Sequence, residues 1–455
     1  MLFVIQFFVC CLGGLMFLLP MKHKLAILVF SFICLDAVPI GISIFNSSEN
    51  LLSSCFFISE LPKIFVHIKR MRRTLLLKLM LLMTVATIVL LVYSPHYHKA
   101  TGVVSLILQE LIFKYFAVVY GFLCVKNKID LKPTINIAFV GMLLLTFWGI
   151  VNLMVRSSPW LDIVQIKETE IALSDYETSD RFRVQSMFAN PFCYGYVCTL
   201  CFLFFMYAKK IRLISKTGLW IVGFCSLFGA IACACRTLWV LFFIGIIIYY
   251  SVYLSKRNIF KMGIAIVLLC LGIFMAMPER LKSGLTEKFT SAISTNTSML
   301  AEGGSSIGMR IVQTTAVLYY IDGHYMFGRG RDFFLIDMGW GDNGKKSLLD
   351  KDLWGLEGIY MNLLLERGIF GLLCWIVFCF SIFLFFFKHR KIYKDESALA
   401  ISIVSIYVLF ACMTGELNSA LPSFLVLGMM LKMIALEEQP NKLIVEKKKI
   451  CKDEV

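Results

Sequence analysis

Three stretches of the sequence carry an arginine where an anionic leaving group could be received, and a fourth carries a carboxylate that could move a proton. The first is Arg183-Val-Gln-Ser-Met-Phe188-Ala-Asn190-Pro191. Pro191 suits the first turn of a helix and Asn190 suits its N-cap. A helix starting there turns free N–H groups toward an anion, with Arg183 close by; a capped helix with an interfacial arginine explains the same residues without chemistry. The second stretch is Ala234-Cys235-Arg236-Thr237, between two apolar runs. An ionisable side chain there is costly and points to function, unless it snorkels to the lipid headgroups. The third is Gly308-Met309-Arg310, at the head of an amphipathic stretch Ile311–Tyr320 and followed by Gly328-Arg329-Gly330-Arg331. A lone Gly-x-Gly is a weak signal, and Arg329 and Arg331 read as solvated loop residues. The fourth stretch begins Glu357-Gly-Ile-Tyr360-Met361 and ends Glu366-Arg-Gly368. Glu357 is either a carboxylate favoured by a helix N-terminus or a general base facing the same space as the arginines.

Other polar residues carry less. Glu110 and Lys114, four apart in an apolar segment, are expected to neutralise each other. Asp36 has no evident role. Asp350-Lys-Asp352 has the Asp-x-Asp form of metal-dependent glycosyltransferases, but two acids in an acidic loop arise readily by chance, as does the sequon Asn296-Thr-Ser. No His/Cys/carboxylate set has metal-ligand spacing, and no Gly-rich phosphate loop follows a strand. The sixteen cysteines sit almost entirely in apolar segments, Cys10, Cys11, Cys198, Cys201, Cys233 and Cys235 among them, and act as small apolar residues. Neither a metal nor a cofactor is expected.

The elements that must position these residues are membrane helices. Of 455 residues 59% are hydrophobic and 16% charged, with a mean hydropathy of +0.78; soluble domains carry about 25% charged residues. Unbroken runs such as the one from Leu238 do not alternate as a barrel strand would. At about 20 residues per span the expectation is an all-α polytopic protein of 12–13 spans: 2–19, 25–45, 51–68, 75–93, 103–124, 134–154, 191–208, 219–235, 238–254, 262–277, 365–387, 398–413 and 421–436. Glu60 and Pro62 interrupt the third. Residues 2–19 lack a basic flank and a small-residue cleavage site, so they read as a retained helix.

The net charge of +15 falls in short Lys/Arg clusters at alternate connections, from Lys22/Lys24 to the C-terminal tail. That is how the positive-inside rule writes topology, and it excludes a nucleic-acid footprint. The N-terminus is expected outside and the tail inside. Residues 1–154 then form the N-terminal membrane helices, 155–190 a first outer loop and 191–277 the central helices. Residues 278–364 form a large outer loop with short helices of its own, 365–436 the last helices and 437–455 a basic cytoplasmic tail. A loop so far beyond ordinary connections tends to carry function.

Taken in order, these segments resemble the O-antigen polymerase and O-antigen ligase family of bacterial inner-membrane proteins. The family's Arg-x-x-Gly-x-Phe-x-Asn-Pro stretch is matched from Arg183, with Ser186 in the Gly position. Its Ser-Arg-Gly-like turn is matched loosely by Cys235-Arg236-Thr237, and its loop helix running to a Gly-x-Gly by Arg310 with Gly328 and Gly330. Its Tyr-Leu…Leu-x-Glu-x-Gly motif is matched by Tyr360, Met361, Leu364, Glu366 and Gly368. The likeness covers roughly residues 180–385. Ligases of the family carry His where this chain has Glu357, which turns the reading toward a polymerase.

The resemblance implies a metal-independent, inverting glycosyltransferase with a GT-C-like fold. Its substrate is an undecaprenyl-pyrophosphate-linked oligosaccharide, and its product is O-antigen or capsule. Arg183, Arg236 and Arg310 would bind pyrophosphate and Glu357 would act as general base, with Arg181, Asn190, Tyr360 and Arg329 as further residues of the site. A chain-length regulator and a flippase are the protein partners it implies, beside the lipid bilayer. A ligase acting on lipid A core, or a lipid-linked oligosaccharide flippase, are the alternatives; transporters often show internal repeats and broken helices, and the sequence shows no repeat.

Overall fold

The computed structural model describes residues 1–36, 38–42, 45–70, 75–164, 182–254, 258, 261, 306–331, 333, 356, 358–415 and 419–453. These fold into helices with a single small hairpin. In chain order come α1 (Leu2–Leu18), α2 (Met21–Cys34), the strands β1 (Pro39–Ile42) and β2 (Phe45–Ser47), α3 (Ser48–Arg70) and α4 (Leu75–Val92). A bent span follows, made of α5 (Ala100–Ile107), a π-helical stretch Leu108–Tyr115 and α6 (Ala117–Cys124), with a 47° turn at Phe116. Then come α7 (Lys132–Val155), α8 (Pro159–Val164), α9 (Pro191–Lys210), α10 (Lys216–Ala232), α11 (Arg236–Ser251) and α12 (Ser306–Tyr320). The last three are α13 (Ile359–His389), α14 (Lys394–Thr414) and α15 (Ala420–Asp453).

Five of the described helices are long and apolar enough to cross a membrane, or six when the bent pair counts as one span; four shorter apolar helices accompany them. Their outward faces are greasy. Trp220, Phe224 and Ile231 recur along one side of α10 at 71%, 70% and 55% exposure, the spacing of a lipid-facing stripe.

One expected span differs in the structure, and another forms despite its interruptions. The helix expected over 25–45 stops at Cys34, because Val38 precedes a proline and is pushed toward extended backbone, and Gly41 turns with φ +71°. The antiparallel hairpin β1–β2 takes its place, and the Ser48 hydroxyl closes the loop by donating to Leu35 O at 2.5 Å. Over 51–68 the helix continues through Pro62, and Glu60 is buried against Lys24 and Lys63. The expected span 262–277 lies outside the described residues. Within residues 278–364 α12 forms where an amphipathic helix is expected.

Contacts fix which connections share an end of the bundle. Lys22, Lys63, Lys126 and Lys432 line one cavity. Lys128 lies 3.3 Å from Glu396, Tyr253 donates to Asp395 at 2.6 Å, and Lys210 sits 4.7 Å over the Tyr253 ring. The opposite end holds the starts of α9 and α11 and the end of α14, because Tyr196 stacks 4.5 Å from Phe410 and Gly195 abuts Leu238.

The tightest crossing joins α6 to α15. A Cβ on Gly121 would lie 2.0 Å from Leu425 O, and one on Gly428 2.0 Å from Val118 O. Small residues let membrane helices approach this closely, where dispersion replaces the missing hydrophobic force. Gly121→Ala and Gly428→Ala should therefore each cost about 1–3 kcal/mol, read as a lower melting temperature of the detergent-solubilised protein. Gly14→Ala, with nothing within 4 Å of the added methyl, should melt like the parent.

Candidate functional site

Asn190 caps α9 as its sequence suggests: its side chain accepts from Phe192 N–H at 2.8 Å, and Pro191 occupies the first turn. The preceding segment is pinned from two sides. Val184 N–H donates to Ala232 O at 3.1 Å, and the Ser186 hydroxyl donates to Leu145 O at 2.7 Å from a left-handed backbone (φ +54°). Glycine adopts that φ without strain; here serine does. Arg183 lies 5.8 Å over the Phe192 ring. Arg236 opens α11 four residues beyond Ala232, so the backbone bond from Val184 brings both arginines to one corner, between α9, α10 and α11.

Arg310 reaches the same end of the bundle from the segment between α11 and α13. It lies near the start of α12 and donates to Met413 O, at the last turn of α14, at 2.6 Å. Gly358 packs onto the adjoining carbonyl, with its Cβ position 3.1 Å from Cys412 O. Tyr360 lies beside it in the first turn of α13, against a small core of Val317, Phe333, Leu356, Met361 and Leu365. The terminus of α14 thus receives both Arg310 and the chain neighbour of Glu357. Glu357 itself, Arg181, Asp350, Asp352 and Asn296 lie outside the described residues.

Arg329 and Arg331 are not solvated loop residues. Arg329 donates to Tyr320 O at 3.1 Å, closing the C-terminus of α12, and stacks 5.1 Å over Phe333. The Gly-x-Gly around it threads into a break in α13. Arg329 and Gly330 N–H donate to Leu365 and Glu366 O at 2.7 and 3.0 Å, while Ile369 and Phe370 N–H donate to Tyr325 and Met326 O at 2.8 and 3.0 Å. The break is Gly368, at φ +62°.

That docking carries Arg331 into a cluster the sequence reading discounted. Glu110, 1% exposed in the π-helical stretch, meets Arg367 in a close ion pair, Arg331 at 3.3 Å and Lys114 at 3.5 Å. Arg331 also meets Glu366 at 2.8 Å. Lys114 is therefore one of three cations around Glu110, not its sole counter-ion. Glu366, and Glu110 after it, hold the Arg331 guanidinium above its ordinary value, so its charge is permanent.

A cavity of about 200 Å³ opens beside the cluster, lined by Glu49, Gln109, Glu110, Lys114 and Arg331. Glu49, in the polar first turn of α3, is 6% exposed, and its Oε1 has no partner among the described residues. Burial, and then the charge of Asp36, push its carboxyl well above the usual range. Gln109, Lys114 and the Arg331 guanidinium put hydrogen-bond donors on this cavity, which suits a hydroxyl-rich or anionic guest. Neither the family models nor the curated proteins compared with the chain match it.

Among the described residues no group of three His, Cys, Asp or Glu could hold a metal. The signal for the charged cluster was present in the sequence as acids and bases inside apolar runs, but the partners lie 221 and 257 residues from Glu110.

Removing one charge of a buried pair leaves the others uncompensated, so Glu110→Gln should cost about 3–5 kcal/mol, seen as a lower melting temperature and weaker recovery from detergent. Glu49 has the opposite logic. The fold favours its protonated form, so its contribution is complete below the unfolded-state value of about 4.3 and is lost as pH rises toward the folded-state value. Thermal melts of Glu49→Gln should match the parent near that lower pH and exceed it at alkaline pH.

Proposed function

We propose that the chain is a polysaccharide polymerase of the O-antigen polymerase type, with a GT-C-like arrangement of 12–13 spans. It transfers a growing glycan from undecaprenyl pyrophosphate to a new lipid-linked repeat unit at the extracytoplasmic side of a bacterial inner membrane. The observation that carries the reading is the gathering of Arg183, Arg236 and Arg310 at one end of the bundle, away from the lysine-rich connections. The charge rule assigns the lysine-rich end to the cytoplasm, which leaves the arginines facing outward.

The chemistry suits such a gathering. As the acceptor hydroxyl oxygen attacks the anomeric carbon, the bond to the pyrophosphate oxygen breaks and negative charge collects on the leaving group. Guanidinium groups stabilise that charge through paired N–H bonds without a metal. Glu357 takes the hydroxyl proton, and attack opposite the leaving group inverts the anomeric centre. The cavity beside Glu49 and Arg331, lined by carboxylate, amide and cationic side chains, supplies a place for part of the glycan.

A flippase reading has one observation in its favour, the bent span carrying a buried charge cluster, a combination common in transporters. The gel pattern of surface glycan after deletion separates the readings. Loss of a polymerase leaves single repeat units on the lipid core, loss of a ligase strands polymer on its carrier, and loss of a flippase leaves the core bare. For the polymerase, Arg183→Ala, Arg236→Ala and Arg310→Ala should each abolish polymer while the protein stays in the membrane, and lysine should rescue poorly for want of the bidentate fork. Glu357→Gln should be inactive; wild-type chain lengths from that variant would remove Glu357 from the mechanism.

A further inference from the structure

The end of the bundle opposite the arginines holds a larger cavity, of about 580 Å³, for which glycan polymerisation has no use. Its volume lies within the usual range of small-molecule sites, about 300–1,000 Å³. One wall is apolar, from Met21, Leu123 and neighbouring residues; the other carries Lys22, Lys63, Lys126 and Lys432 against a single acid, Asp130.

The acids nearby are already engaged. Asp130 Oδ2 accepts from the backbone N–H of Lys126 and Asn127 at 3.0 and 3.2 Å, completing a capping box. Glu60 is shared between Lys24 and Lys63. Among the described residues Lys22, Lys126 and Lys432 have no carboxylate within ion-pair distance. Lys432 instead sits 4.9 Å over the Phe122 ring, half-buried on α15 beside the glycine crossing with α6. The first turn of α2 adds backbone N–H groups that its own helix cannot satisfy. Three ammonium groups with no carboxylate partner among the described residues and a helix N-terminus, beside an apolar wall at the end of membrane helices, match a phosphodiester whose far side is acyl chain.

We propose that this cavity binds the headgroup of an anionic glycerophospholipid, with Lys22, Lys126 and Lys432 as the phosphate ligands. The site is independent of the polymerase reading and stands or falls without it.

The test uses the full chain in nanodiscs of phosphatidylcholine doped with phosphatidylglycerol, with retained lipid counted by native mass spectrometry. The parent should retain phosphatidylglycerol over phosphatidylcholine. A juxtamembrane lysine contributes about a fivefold gain in affinity for anionic lipid, so the variant Lys22→Gln/Lys126→Gln/Lys432→Gln should lose on the order of a hundredfold. Lys126→Gln alone, on an exposed turn, should lose about fivefold and serves if the triple variant does not fold. Equal retention by parent and variants would overturn the proposal. So would lysine-dependent binding of inorganic phosphate or glycerol phosphate without phosphatidylglycerol selectivity, since the ligand would then be a soluble phosphate.

Discussion

A carboxylate inside an apolar span is tolerated only where cations come to it, because the cost of removing it from water exceeds what any single weak contact returns. Glu110 is such a group, and the cations that meet it arrive from the segment after α12 and from α13, with Lys114 one turn along its own helix. The demand has consequences along the chain. Arg331 can reach Glu110 only if the segment after α12 lies across α13, and Arg331 N–H is further fixed to the Ser94 hydroxyl at 2.8 Å. The bent span, α4, the segment after α12 and α13 are thereby tied at one point. α12, which carries Arg310, leads directly into the tied segment, so the placement of that arginine depends on a charge pair far from it in sequence.

The same constraint acts on the backbone. Near a membrane a broken helix must have its freed N–H and C=O groups taken up by protein. The break at Gly368 is tolerated because residues 325–330 supply donors and acceptors on both sides of it. Such an approach leaves no room for side chains. A Cβ on Gly330 would lie 1.9 Å from Tyr93 O, and those on Gly328 and Gly368 would each meet the other's strand of backbone at about 2.5 Å. All three glycines also hold positive φ, which an L side chain adopts only with strain. The Gly-x-Gly and the Glu-x-Gly that seemed separate signals are two halves of one backbone junction.

Much of this was legible in the sequence. Apolar run length gave most helices within a few residues, and Asn190-Pro191 announced the cap of α9 because capping is a local interaction. α12 showed in its periodicity. The hairpin at 39–47 was hidden, since Ile40, Ile42 and Phe45 are as apolar as a span, and only Val38-Pro39 and Gly41 hinted at the break. The grouping of Arg183 with Arg236 follows in the sequence only from the family resemblance, not from spacing, because it rests on one backbone bond between Val184 and Ala232. Arg329 and Arg331 were misjudged for a related reason: composition treats a charge beside glycines as solvated, and only the tertiary fold reveals the carbonyl and carboxylates that receive it. Glu49 gave no signal at all, being one acid in a polar turn whose burial depends on four separate segments.

The two ends of the bundle use different cations, and the difference follows from what each side chain can hold. At the arginine end the guanidinium groups are fastened by protein acceptors, Arg310 to Met413 O, Arg329 to Tyr320 O and Arg331 to Glu366. A planar fork with five donors can be oriented through one nitrogen as a rigid unit. At the other end the cations are lysines, compact charges on flexible stems, and Lys22 and Lys126 are exposed. Such groups follow a mobile anion but cannot hold it in register. One end thus carries fastened guanidinium groups and the other loose ammonium groups, an asymmetry that net charge alone would never reveal.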